Sequence, residues 1–79
     1  MSELGQLLWR CRRGTKELDF LLERYMSRDY PHASAAEQDA FVRILDLPDP
    51  ELTDYFLGHA TPAQPELAAL VRRIALHHD

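Results

Sequence analysis

Between Leu4 and Ile74 the apolar side chains recur at intervals of three and four residues, and no stretch alternates apolar with polar long enough to make a half-buried strand. Such a chain can bury its apolar surface only by packing helix stripes on one another. Glycines and prolines punctuate the pattern, so the expected fold is all-α: a compact bundle of five short helices in a single helical domain over residues 1–79. The short connections favour neighbours that run roughly antiparallel.

The first helix is expected over about Glu3 to Arg12, with Ser2 as N-cap and Leu4, Leu7, Leu8 and Cys11 as its inward stripe. A second begins just after Gly14, carries Leu18, Leu21, Leu22, Tyr25 and Met26 on one face, and fades between Asp29 and Pro31. Ser34 and Glu37 have capping-box spacing ahead of Ala40, Phe41, Ile44 and Leu45. In "DLPDPEL", Asp49 is expected to cap and Pro50 to take the first helical position of a helix presenting Leu52, Tyr55 and Phe56, which Gly58 ends. Pro65 opens the fifth, with Leu67, Leu70, Val71 and Ile74 inward, and the tail "HHD" is expected to fray.

A chain of 79 residues buries only ~60% of the surface that its unfolded form exposes. The core is thin and leaves little room for a catalytic cleft, which places a binding or adaptor role ahead of an enzymatic one. With Cys11 as the single cysteine, no internal disulfide can form, so stability must come from helix packing. No apolar run approaches the ~20 residues of a membrane span, and no targeting segment opens the chain; the expected location is the cytoplasm.

Charge is unevenly placed. Arg10, Arg12, Arg13 and Lys16 put four of the nine basic residues inside seven positions, and the other five face thirteen acidic residues, a net of -8 on the remainder of the chain. Gly14 interrupts this cluster where the first helix should stop, since glycine reaches the left-handed C′ conformation without steric cost. Arginines suit the end of one helix dipole and Glu17 the start of the next, so "RRGTKE" reads as a capped corner. Four cations together also repel one another unless an anionic group approaches, so the same corner reads as a contact site. Trp9 lies about 150° from the centre of its helix's inward stripe at ~100° per residue and projects near Arg13. It either packs on Phe20 or joins the contact surface, where tryptophan and arginine are enriched.

Cys11 sits on the inward stripe and reads as a buried, inert thiol. His32, His59, His77 and His78 lack the spacing of a metal site, and no nucleophilic triad or phosphate loop is present. The acidic run Asp46, Asp49, Glu51 and Asp54 reads as a solvated surface flanking the fourth helix, or as a second, negative contact area. Beside a protein-binding factor, the alternatives are a small helical nucleic-acid binder using the basic corner and an antitoxin-like interaction module.

"RRGTKELD", followed by "FVRILDLPDPELTDYFLGHATP" and "PELAALVRRI", resembles the succinate dehydrogenase flavinylation factor family, whose signature is Arg-Gly-x-x-Glu on a small five-helix bundle. The signature falls on Arg13, Gly14 and Glu17, flanked by Arg12, Leu18 and Asp19; family members usually carry methionine where Thr15 stands. The resemblance implies an assembly factor that is not itself an enzyme. Its partner would be the flavoprotein subunit of succinate dehydrogenase, extending to that of fumarate reductase, on which it promotes covalent attachment of FAD to a histidine. It also implies that the factor is a monomer when free, binds no FAD stably and supplies positioning, while the bond-forming chemistry belongs to the flavin and its target. The implied contact residues are Arg13, Gly14 and Glu17, with Trp9, Arg10, Arg12, Lys16 and Asp19 around them. Arg13 would offer a forked cation to the partner, and Glu17 would accept from the partner or orient Arg13.

Overall fold

In a computed structural model, which describes residues 3–76, the striped segments form five α-helices: α1 (Glu3–Arg10), α2 (Lys16–Arg28), α3 (Ala35–Leu45), α4 (Asp49–Leu57) and α5 (Pro65–Leu76). No strand occurs among the described residues, in keeping with the all-α expectation. The Ser2 cap, the inward side chain of Leu4, and His77 and His78 with the rest of the tail lie outside the described residues and side chains.

Helix starts follow their local chemistry. The Ser34 hydroxyl accepts the Glu37 amide at 3.1 Å, satisfying a first-turn donor of α3. Glu37 does not close the box with its side chain. Its carboxylate accepts the Tyr25 hydroxyl at 2.5 Å and Arg73 at 3.0 Å, tying α3 to α2 and α5. Burial, then this bond to Glu37, pushes the Tyr25 phenol up from its ordinary range.

Three boundaries differ from expectation. Helix α1 ends at Arg10, two residues early, because the chain must turn into the Gly14 corner. A short 3-10 turn, Tyr30–His32, follows α2; Pro31 cannot continue an α-helix, and the Gln38 side-chain amide donates to the Tyr30 carbonyl at 2.8 Å. Helix α4 begins one residue early: Pro48, with φ -66 and ψ 151, holds the N-cap, while Asp49 and Pro50 occupy the first turn. The proline ring sets the entry angle and frees the Asp49 carboxylate for another partner.

Helix α5 packs against α2, α3 and α4, and the apolar stripes converge on it. Leu18, Leu22, Tyr25 and Met26 from α2 meet Ala40, Phe41, Ile44 and Leu45 from α3 and Leu67, Leu70, Val71 and Ile74 from α5, all buried. The Tyr25 and Phe41 rings lie tilted with centroids 4.6 Å apart. Among the described side chains, α1 and its end reach this core through Cys11 just beyond the helix and the half-buried Leu7; Leu8, expected inward, is 41% exposed because a two-turn helix at the edge turns part of its stripe to solvent.

Helix α4 inserts one fully buried side chain, Leu52, with Tyr55 and Phe56 packed more loosely beside it. Leu52→Ala is therefore expected to cost about 2–5 kcal/mol, read as a lower urea midpoint, and to speed amide exchange in α4 more than in α3.

Candidate functional site

The corner between α1 and α2 is built around one guanidinium. Gly14 turns the chain at φ +91, where a side chain would be strained although nothing lies within 4 Å of the position a Cβ would take. Beside it the Asp19 carboxylate, from the first turn of α2, accepts the Arg13 amide at 2.5 Å and folds the turn onto its own helix.

Arg13 points back across the molecule, with a side chain only 14% exposed. Its Nε donates to Asp49 at 2.7 Å, one terminal nitrogen to the Leu45 carbonyl at 2.8 Å and the Arg10 carbonyl at 3.4 Å, and the other to the Leu47 carbonyl. Arg10 and Leu45 are the last residues of α1 and α3, whose terminal carbonyls lack helical partners. Asp49 opens α4. One planar cation thus closes two helix C-termini and meets an acid at the start of a third helix, an arrangement that a lysine could not reproduce.

Two other cations of the cluster also find acids, and Lys16 does not among the described residues. Arg10 pairs with Asp46 at the surface, and Arg12 lies 4.0 Å from Glu23. Arg10 and Arg13 are three apart, as are Asp46 and Asp49, so the two charge rows match in register. The repulsion expected among the four cations is relieved in part within the chain, and the acidic run expected to be solvated supplies the partners of Arg10 and Arg13. This weakens the phosphate-binding reading, since Arg10 and Arg13 are engaged and only Arg12 and Lys16 face outward at the corner.

Thr15, Lys16 and Glu17 are exposed, and the side chains of Lys16 and Glu17 make no hydrogen bond or ion pair among the described residues. Glu17 does not orient Arg13; Asp49 and the three carbonyls do. Trp9 is 70% exposed with the Arg12 guanidinium 5.9 Å from its ring centroid, and Phe20 is 61% exposed under Arg24 at 5.0 Å. No ring contact joins the two aromatics among the described residues. The matching three-residue spacing of opposite charges was the available signal for the Arg10–Asp46 and Arg13–Asp49 pairs. Nothing local announced the carbonyls of Leu45 and Leu47 as acceptors.

Cys11 is fully buried, and its thiol donates to the Leu7 carbonyl at 3.3 Å. Burial, with Glu23 adding to it, pushes the thiol up from 9.0 to about 12. Among the described residues no three His, Cys, Asp or Glu side chains gather as metal ligands, and no helix is long and apolar enough to cross a membrane.

Two measurements test this construction. Arg13→Ala should destabilise the fold by about 3 kcal/mol because several acceptors lose their donor, Asp49→Ala by about 1 kcal/mol, and the double variant by about 1 kcal/mol less than their sum. Alkylation of native Cys11 should be slow at neutral pH. Because its folded pKa lies above the unfolded one, the stability that Cys11 contributes is present below about pH 9 and lost as pH rises toward about 12, a slope that Cys11→Ala should lack.

Residues 5–78 match the family described as flavinator of succinate dehydrogenase. The chain is 46% identical over 74 residues to the FAD assembly factor SdhE of Methylococcus capsulatus, covering 94% of this chain and 89% of that protein. It is 42% identical over 69 residues to the FAD assembly factor SdhE of Coxiella burnetii (87% and 84%), and 41% identical over 73 residues to that of Psychrobacter arcticus (92% and 78%). An exposed Gly-turn corner braced on an all-helical bundle and a family match over nearly the whole chain lead to one assignment: this chain belongs to the flavinator of succinate dehydrogenase family.

Proposed function

We propose that this chain is an FAD assembly factor that binds the flavoprotein subunit of succinate dehydrogenase through the Gly14 corner and promotes covalent attachment of FAD to that subunit. The observation that carries the reading is the division of labour within the signature. Arg13 faces inward and braces the corner, whereas Gly14, Thr15, Lys16 and Glu17 are left facing outward. A braced corner loses little conformational entropy when a partner docks, so its contacts go into holding the partner.

The clefts on the described surface are open grooves without a glycine-rich phosphate cradle, so FAD is held by the partner in this reading. The flavin and its histidine target supply the bond-forming chemistry. This chain contributes position: Glu17 offers a carboxylate to a donor on the flavoprotein, Lys16 and Arg12 offer cations, and Trp9 with Arg12 extends the contact along α1. It supplies no reacting group of its own, acts as a monomer, and serves the related fumarate reductase subunit through the same corner. Arg13 and Asp19 act from behind the surface by fixing the turn, and Arg10 acts at the surface by pairing with Asp46.

Co-expression with a flavoprotein subunit should raise its covalent flavin, read as fluorescence that survives denaturing electrophoresis. Glu17→Ala should lower that signal several-fold at unchanged stability. Gly14→Ala should cost about 1 kcal/mol from the positive φ, and Gly14→Arg should in addition obstruct the partner and abolish the signal. Equal fluorescence with and without the protein would refute the proposal.

A further inference from the structure

Helices α2 and α4 both pack on α5 and leave a cleft between them. Leu18 and Leu21 form one wall, Thr53, Phe56 and Leu57 the other, enclosing an open groove of about 390 Å³. Thr15 and Glu17, two exposed residues of the corner itself, also line it. Leu57 is 64% exposed because it is the last residue of α4, just before Gly58 turns the chain at φ +83. The Thr15 hydroxyl does not cap α2, although the residue stands at its N-cap position.

The chemistry of the groove narrows what it can take. Its walls are apolar and its charged group is the Glu17 carboxylate, which makes no hydrogen bond or ion pair among the described residues. An anionic dinucleotide would bring phosphates toward a carboxylate. An apolar side chain beside a cation satisfies both the walls and the carboxylate. Because Thr15 and Glu17 belong to the groove and to the corner alike, a protein seated on the corner covers the groove as well.

We infer that this α2–α4 groove receives a leucine, methionine or phenylalanine of the flavoprotein subunit, next to an arginine or lysine of that subunit which pairs with Glu17. The inference rests on the function proposed above and adds the groove to the docking surface. It gives Thr15 a definite place: a short side chain in the lining leaves the groove open, so residue size there governs how deeply the partner's apolar side chain can enter.

The test uses the full chain and the flavoprotein subunit without covalent flavin. Thr53→Trp fills the groove from its wall, and Leu57→Ser removes apolar surface at an exposed position that the fold tolerates. Each should weaken binding about tenfold or more with an unchanged unfolding midpoint. A photo-crosslinking residue at position 57 should capture a flavoprotein peptide in which an apolar residue adjoins arginine or lysine, and one at position 16 should capture the flavoprotein through the corner.

Capture from position 16 but not from 57, with undiminished binding by Leu57→Ser, would overturn the groove and leave the proposed function standing. Capture from neither position would overturn both. Crosslinking from position 57 to a second copy of this chain, or to a flavoprotein peptide without a cation, would also overturn the inference.

Discussion

The guanidinium of Arg13 is the contact on which the arrangement of this small bundle turns. A thin core can fix which helix faces are buried but holds helix ends weakly, and among the described side chains α1 and α4 bury least. Arg13 acts at those ends: it takes the terminal carbonyls of α1 and α3, the Leu47 carbonyl between α3 and α4, and the first acid of α4. Four carbonyl and carboxylate groups that would otherwise need water are joined through one side chain, and two chain corners become one rigid unit.

This bracing changes what the signature Arg-Gly-x-x-Glu means physically. Its arginine is a tie inside the protein, its glycine supplies a backbone conformation closed to other residues without strain, and its glutamate alone is left with an unengaged charge at the surface. The three residues have three separate jobs in one turn. Asp19, three residues before the buried Leu22, completes the turn by accepting the Arg13 amide. Substitutions at Arg13 and at Glu17 therefore act on different properties, stability for the first and recognition for the second.

Four cations in seven residues do require anions nearby, and two of them are met by Asp46 and Asp49, thirty-six residues further along. Charge density is visible in a sequence, but the address of a counter-charge depends on how the helices are placed. Trp9 lay off the inward stripe and is exposed, as the helical angle allowed; its stacking with Arg12 is a matter of one helical turn. Leu8 shows the opposite failure, since its position on the stripe could not reveal that α1 sits at the rim of the bundle.

By itself the sequence determined the elements: the three-and-four spacing of apolar residues, the Ser34 cap, the Gly58 stop and the prolines at helix starts are local rules that act within a turn or two. It also determined that residues 13–17 form a glycine corner, and the spacing of its letters marked the family. Only the tertiary structure decided which way that corner faces. Arg13 turns inward because the ends of α3 and α4 bring carbonyls and a carboxylate within its reach, and Glu17 stays outward because none of the described groups approaches it. The open groove beside Glu17 has the same origin: it is the gap left when α2 and α4 pack on a common helix, and no local pattern encodes a gap between two segments that never meet in sequence.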